Sequence, residues 1–395
     1  MQLLIKNALI PQSNSIFLKG HIGIDQGKIK ALWYSENTPS CENTEIIDAD
    51  GFMVSSGFID THNHGGNGYG YDCEKTEWEK IEHRLLSAGV TSVLATWESS
   101  SLDETLRFFD KFHALAKNNK FNKVEIAGIH LEGPYLNKIR KGMHQEKFIR
   151  PASEEEIRLI LERTGGFLKI LSLAPEIKEN MAVIETLAAT GVSVSIAHTE
   201  ADYDTALTAF SAGANRVTHT FNAMPALNQR YKGIVTAAWQ HNAYMELIAD
   251  NHHVSPTIMK MFVSAADPGK IVLVSDNNEC SGLPEGSYTV HNRRLIVAEE
   301  QLKTESGILA GSIVGLNRCA HNITRCGFST WLALKMACEN PARSINIFDR
   351  KGSIAEGKDA DIVILDGQFN VFFTIKSGQI VYKPESSGRP NAYNF

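Results

Sequence analysis

His62 and His64 stand two residues apart in GFIDTHNHGG. Side chains two apart on a strand share one face, so both imidazoles can serve one ion. Asp60 has the same parity and is placed either to orient a ligand histidine or to serve the structure. Glu132 follows in IHLEGP, His198 in SIAHTE, His219 in RVTHTFN and Asp276 in VLVSDN. Imidazole nitrogens and a carboxylate form the donor set of a divalent cation, best suited to Zn2+ and also open to Fe2+, Mn2+ or Co2+. Glu132 can bridge, so one ion or two are both compatible with this set. Taken singly, each residue also has a structural reading: a helix cap, a paired charge, a hydrogen-bonded core histidine. Taken together, these groups would cost several kcal/mol of desolvation if buried at one place without a shared partner. A cation removes that cost. Asp276 is read as the general acid/base. A metal brings the pKa of water bound to it down to about 7. A carboxylate within reach can then take the proton and return it to a leaving amine.

These residues need elements that bring them together. Eight apolar runs recur through the middle of the chain: GFIDTHNHG, TSVLATWE, VEIAGIHLEGP, LKILSLAPE, VSVSIAHTE, RVTHTFN, MELIAD and KIVLVSDN. Between them lie EWEKIEHRLLSAG, LDETLRFFDKFHALAKN, SEEEIRLILERTG, ENMAVIETLAATG and YDTALTAFSAG, with apolar residues at helical spacing and Gly at several ends. Alternating strands and helices of this number predict an α/β fold, a (β/α)8 TIM-like barrel. A doubly wound open sheet would alternate too, but no G-x-G-x-x-G follows the first strand. Nearly every run ends in a residue able to do chemistry: His62 and His64, Glu98, Glu132, Glu176, His198, His219, Asp250, Asp276. In a barrel those strand ends converge on one mouth.

Both chain ends read differently. MQLLIKNALI, HIGIDQGKIKALW and TEIIDADGFMVSS at one end, and GKDADIVILDG, NVFFTIKSG and QIVYKP at the other, are short β-rich runs parted by turns. The division expected is a small β-sandwich domain from residues 1–54 and 350–395, and a metal-dependent hydrolase barrel over 55–349. The length of 395 residues suits a barrel of roughly 250–300 residues plus such a domain. Hydrophobic residues at 43% and charged residues at 21% allow a sizeable core. A net charge of −6 without basic clusters argues against nucleic acid, while a small anionic substrate can still meet a locally positive pocket. Cys41, Cys73, Cys280, Cys319, Cys326 and Cys338 form no C-x-x-C pair and read as free thiols of a reducing compartment. Cys73 is near the histidine pair and reads as core filler, with a metal role as the alternative. MQLLIKNALIPQ has no basic start or long apolar run and is not expected to act as a signal peptide, and no run approaches the ~20 apolar residues of a membrane span. A soluble, cytoplasmic protein without membrane partners is expected.

The motifs resemble the amidohydrolase superfamily, and in finer detail the N-acetylglucosamine-6-phosphate deacetylases. The segments that carry the resemblance are SSGFIDTHNHGG, GIHLEGPYLNKIRKGMHQEKFIRP, SLAPE, SIAHTEADYD, AGANRVTHTFNAMP, IADNHHV, VLVSDN, ILAGS and NPARSINIFDRKGSIAEGKDADIVILD, spread over almost the whole chain. The resemblance implies hydrolysis of an N-acetyl amino sugar 6-phosphate to the free amine and acetate, by a homodimer whose sites are completed across the interface. It implies Glu132, His198 and His219 as the constant metal ligands, with His62 and His64 permitting a second ion. Asp276 matches the catalytic aspartate, and His144 matches a histidine near the scissile carbonyl. Asn222 and Ala223 match a loop near the phosphate, and Arg230 an arginine from the neighbouring subunit. Met143, Asp250, His253, Leu309, Ala310 and Gly311 fall on further substrate-binding positions. TWESS, SDNNECSG and Asp250-Asn251-His252-His253 depart from the family pattern at the mouth. Those departures keep N-acetylgalactosamine 6-phosphate or an N-acyl amino acid open as alternative substrates. A non-catalytic scaffold would tend to lose ligands or the aspartate, and this chain keeps them.

Overall fold

The computed structural model describes residues 1–12, 16–35, 39, 44–117 and 122–384. Cys41 and residues 385–395, assigned above to the small β domain, lie outside the described residues. The eight apolar runs form one parallel sheet. Its strands are β1 (Phe58–Asn63), β2 (Val90–Glu98), β3 (Glu125–Glu132), β4 (Leu168–Leu173), β5 (Ser193–Ile196), β6 (Arg216–Val217), β7 (Tyr244–Ile248) and β8 (Ile271–Val274). Each pairs with the next in sequence. The seam between β8 and β1 closes just beyond β8, where the Asp276 N–H donates to the His62 carbonyl at 2.9 Å. Asp60 spans the same seam, accepting from the Ser275 N–H at 3.1 Å and the Ser275 hydroxyl at 2.5 Å. Its third bond comes from Asn63 Nδ2, so Asp60 serves barrel closure and orients no histidine.

Burial on both faces explains the near-continuous apolar composition of these strands. IVLV of β8 is buried throughout. The expected helices pack outside. In Leu102–Ala116, Ser101 and Glu104 form a reciprocal cap, and Phe108, Phe109 and Phe112 face the barrel. Glu154–Thr164 stops at Gly165, whose φ of 56° is left-handed. The segment ENMAVIETLAATG is two short helices, Lys178–Ala182 and Ile184–Ala189, rather than one. In the first, buried Asn180 donates to the Tyr135 and Ala174 carbonyls.

A second sheet takes strands from both chain ends. Met53–Ser56 pairs antiparallel with Ile362–Leu365, joining the two contributions. Leu3, Ile5, Ile22, Ile24, Ile364 and Ile375 build its separate core. The joining strand runs through the boundary expected at residue 54. One element was not anticipated. After β8 the chain forms a three-stranded antiparallel sheet of Gly286–Val290, Arg293–Ala298 and Gln301–Thr304. Its turns are His291-Asn292 and Glu299-Glu300, all four with positive φ. Such turns normally announce themselves with Asn-Gly or Asp-Gly, and neither is present here. Among the described residues no helix is long and apolar enough to cross a membrane.

Candidate active site

The mouth of the barrel is built by strand ends. His62 lies within β1 and His64 just past it, on the same face. Glu132 is the last residue of β3. His198, His219 and Asp276 follow β5, β6 and β8 with left-handed φ of 43°, 28° and 48°. Non-glycine residues adopt this region at a cost of order 1–3 kcal/mol each, and it concentrates at functional sites.

Glu132 is the hub. Its Oε1 lies 3.1 Å from His219 Nε2, 3.4 Å from His198 Nε2 and 3.5 Å from His62 Nε2. Its Oε2 lies 3.4 Å from His64 Nε2 and 3.6 Å from His144 Nε2. Asp276 Oδ1 is 3.3 Å from the Nε2 atoms of both His62 and His64.

These residues fit a divalent cation. The Nε2 atoms of His198 and His219 are 3.0 Å apart, and those of His62 and His64 are 3.3 Å apart. The far nitrogens explain the orientation of two rings. His198 Nδ1–H donates to the Arg140 carbonyl at 2.7 Å, and His62 Nδ1–H to Glu246 at 3.0 Å. A neutral ring protonated at Nδ1 presents a free Nε2 lone pair to the centre. His219 Nδ1 is buried without a partner. The electrostatics agree. Burial would push His62 and His64 down, yet neighbouring carboxylates raise both, His64 to about 10. Burial would raise Glu132, yet His62, His198 and His219 hold it well below the carboxylate range. The cluster demands positive charge, which protons supply where a cation does not.

His144 behaves differently. Burial, and then the charge of His198, hold its pKa well below the ordinary value. It is therefore neutral. Its Nδ1 accepts the Ser99 N–H at 3.3 Å, so its proton sits on Nε2.

A cavity of about 350 Å3 opens over this cluster. Of the residues expected from the sequence, His64, Glu132, Met143, His144, His198, His219, Asn222, Ala223, His253, Asp276, Leu309, Ala310 and Gly311 line it. His62 lies beneath. Asp250 stands behind the wall, accepting from His253 Nδ1 at 2.7 Å. Arg230 does not reach the cavity of its own chain; it is exposed on the loop after β6. Two glycines permit close approach. A Cβ at Gly142 would meet His198 Cε1 at 3.1 Å, and one at Gly311 would meet the Asp276 carbonyl at 2.9 Å. Cys73 is a buried free thiol and belongs to the apolar core.

Sequence reasoning placed Glu98 and the SDNNECSG segment of Glu279 at the mouth, but missed Tyr71, Trp97, His291 and Arg293 of the outer wall as site residues. Two of the three departures from the family pattern anchor the three-stranded sheet. Glu98 of TWESS pairs with Arg293, and Glu279 of SDNNECSG pairs with His291 at 3.0 Å. Arg293 also donates to the Met143 carbonyl at 2.5 Å. The alternation in SYTVHNRRLIVA was the available signal for these strands.

Residues 53–381 match the amidohydrolase family. The chain is 33% identical to the N-acetylglucosamine-6-phosphate deacetylase of Bacillus subtilis (strain 168), covering 96% of this chain and 97% of that one. It is 30% identical to the N-acetylgalactosamine-6-phosphate deacetylase of Escherichia coli O157:H7, over 82% of this chain and 87% of that one. The crystal structure of N-acetylglucosamine-6-phosphate deacetylase from Thermotoga maritima superposes with a TM-score of 0.85 at 30% identity, covering 96% of this chain and all 100% of that one. The convergence of strand-end ligands and the full-length likeness lead to one conclusion: the chain belongs to the amidohydrolase family, among the N-acetylglucosamine-6-phosphate deacetylases.

Proposed function

We propose that this chain hydrolyses the amide of an N-acetyl amino sugar 6-phosphate, N-acetylglucosamine 6-phosphate first among them, to the free amine and acetate. The observation that carries this reading is Glu132 with His62, His64, His198 and His219 around its two oxygens, and Asp276 against the histidine pair. Glu132, His198 and His219 would hold one divalent cation, and His62 and His64 would add a second position beside it. The nitrogen-rich donor set favours Zn2+. When bound, the cation supplies a Lewis acid for the amide carbonyl and acidifies the attacking water.

The rest falls to side chains. Asp276 Oδ1 takes the proton of the attacking water and delivers it to the departing nitrogen. His144 donates from Nε2 to the carbonyl oxygen as negative charge develops there. His253, whose pKa burial lowers but Asp250 raises further, adds positive charge to the wall that meets the sugar phosphate. Asn222 and Ala223 bind on the phosphate side. Arg230, exposed on its own chain, completes the phosphate site of a second copy in a homodimer, where its planar fork suits a phosphate. The five described cysteines are free, as a cytoplasmic enzyme's would be.

The 30% identity to an N-acetylgalactosamine-6-phosphate deacetylase supports a second reading, in which the galacto epimer is the better substrate. Acetate release from the gluco and galacto N-acetyl 6-phosphates, and from their unphosphorylated sugars, separates the readings. The proposal expects kcat/KM to fall by at least a hundredfold without the phosphate. An unchanged value would remove the phosphate site, and faster turnover of the galacto compound would favour the second reading.

A further inference from the structure

Below the cavity lies a polar floor that the proposed reaction does not use. Glu246 of β7 is fully buried. Its Oε2 accepts Nδ1–H of His62 at 3.0 Å and the backbone N–H of His219 at 3.2 Å. Its Oε1 accepts from Nη1 of Arg216 at 3.1 Å. Arg216, on β6, is fully buried as well and donates to Ser344 Oγ at 2.5 Å. The neutral ring of His130 stands edge-on to His62 at 4.6 Å, held by the Thr61 carbonyl at 3.1 Å and Ser172 Oγ at 2.8 Å. None of the three reaches the cavity wall.

A buried ion pair is a poor device for stability, because desolvating two charges offsets much of their attraction. This pair does something else. The carboxylate fixes the proton of His62 on Nδ1, which aims the Nε2 lone pair at His64 and Glu132. The same oxygen tethers the backbone of His219, which has left-handed φ. One atom therefore registers a ligand of the His62/His64 half against a ligand of the Glu132/His198/His219 half. Arg216 lies against the other carboxylate oxygen and offsets part of the cost of burying it.

We infer that Glu246, held by Arg216, is the positioning residue of the metal centre and sets the affinity of the His62/His64 half for its ion. The inference rests on the two-position metal reading proposed above, and the test keeps the two apart. Metal-depleted wild type, His64→Asn, Glu246→Gln and the double variant Glu246→Gln/Arg216→Met are titrated with Zn2+ against a chelator. Bound metal is counted by elemental analysis and Tm is recorded for each. Wild type is expected to bind two equivalents and His64→Asn one. Glu246→Gln is expected to weaken the second equivalent by about 10–100-fold. Glu246→Gln leaves Arg216 uncompensated and lowers Tm. The double variant removes both charges, so its Tm recovers while the metal defect stays. Wild-type affinity for both equivalents in Glu246→Gln overturns the inference alone. So does recovery of affinity together with Tm in the double variant, which would make the effect one of folding. Equal stoichiometry in wild type and His64→Asn overturns the two-position reading, and the inference with it.

Discussion

The backbone N–H of Ser99 donates to Nδ1 of His144 at 3.3 Å, which leaves the ring proton on Nε2, the nitrogen that faces Glu132. Ser99 follows directly on β2, so one strand end fixes the tautomer of a residue carried by a loop after another. Burial keeps the ring neutral, which makes it a donor without a charge to neutralise. A donor aimed at developing negative charge is worth about 10²–10³ in kcat. His144→Gln should lower kcat by that amount and leave metal content unchanged. Steady-state kinetics beside elemental analysis checks it; loss of metal would mean that His144 is a ligand instead.

Asp276 and Arg230 can be tested against each other. Asp276→Asn should retain metal and lose about 10²–10⁴ in kcat, the range for a positioned acid/base. Arg230→Ala should raise KM for the phosphorylated sugar. If Arg230 serves the neighbouring copy, unfolding and refolding the two variants together yields mixed dimers. One site of each mixed dimer then has an intact Asp276 and an intact Arg230. Activity of the mixture should exceed the sum of the separate variants. No gain would place Arg230 outside the site of its partner.

The inserted sheet closes one side of the cavity through Glu98–Arg293 and Glu279–His291. Arg293 also holds the Met143 carbonyl, one residue before His144. The double variant Glu98→Gln/Arg293→Met removes both charges of one pair and loosens the wall without touching the reacting atoms. KM should rise by about tenfold or more, the cost of a few misplaced contacts at ~1.4 kcal/mol per decade. The change in kcat should be smaller. Michaelis kinetics with both sugar epimers reads this directly, and a fall in kcat at constant KM would assign Arg293 to the chemistry.

How much of this was legible follows from the physics of each signal. Burial of β8 on both faces forces IVLV, so the barrel strands showed as apolar runs. Parity placed His62 and His64 on one face, and strand ends placed Glu132, His198, His219 and Asp276 at one mouth. Asp60 shares the parity of His62, yet it closes the β1–β8 seam through Ser275. Periodicity names a face and not a partner. Glu246 and Arg216 were missed because each sits singly in a short strand, and only their meeting across β6 and β7 gives them a role. The inserted sheet was missed because its turns use His-Asn and Glu-Glu, whose positive φ the local sequence does not demand.

β3 carries a second glutamate at its other end, and it predicts how the fold responds to acid. Glu125 pairs with Arg350, with Lys351 at 3.0 Å and with Lys376 at 3.5 Å, tying the barrel to the chain's C-terminal strands. Burial would raise its pKa, but the Arg350 hydrogen bond and the charges of Lys351 and Lys376 drive it well below the ordinary value. A carboxylate whose folded pKa is depressed contributes stability that is complete above its unfolded pKa of about 4.3 and is lost as pH falls through the folded one. Wild-type Tm should therefore fall more steeply between about pH 5 and pH 3 than that of Glu125→Gln. The variant should be less stable at pH 7, and the two curves should converge in acid. Thermal unfolding across that range measures it, and parallel curves would mean that the network around Glu125 contributes nothing through its protonation.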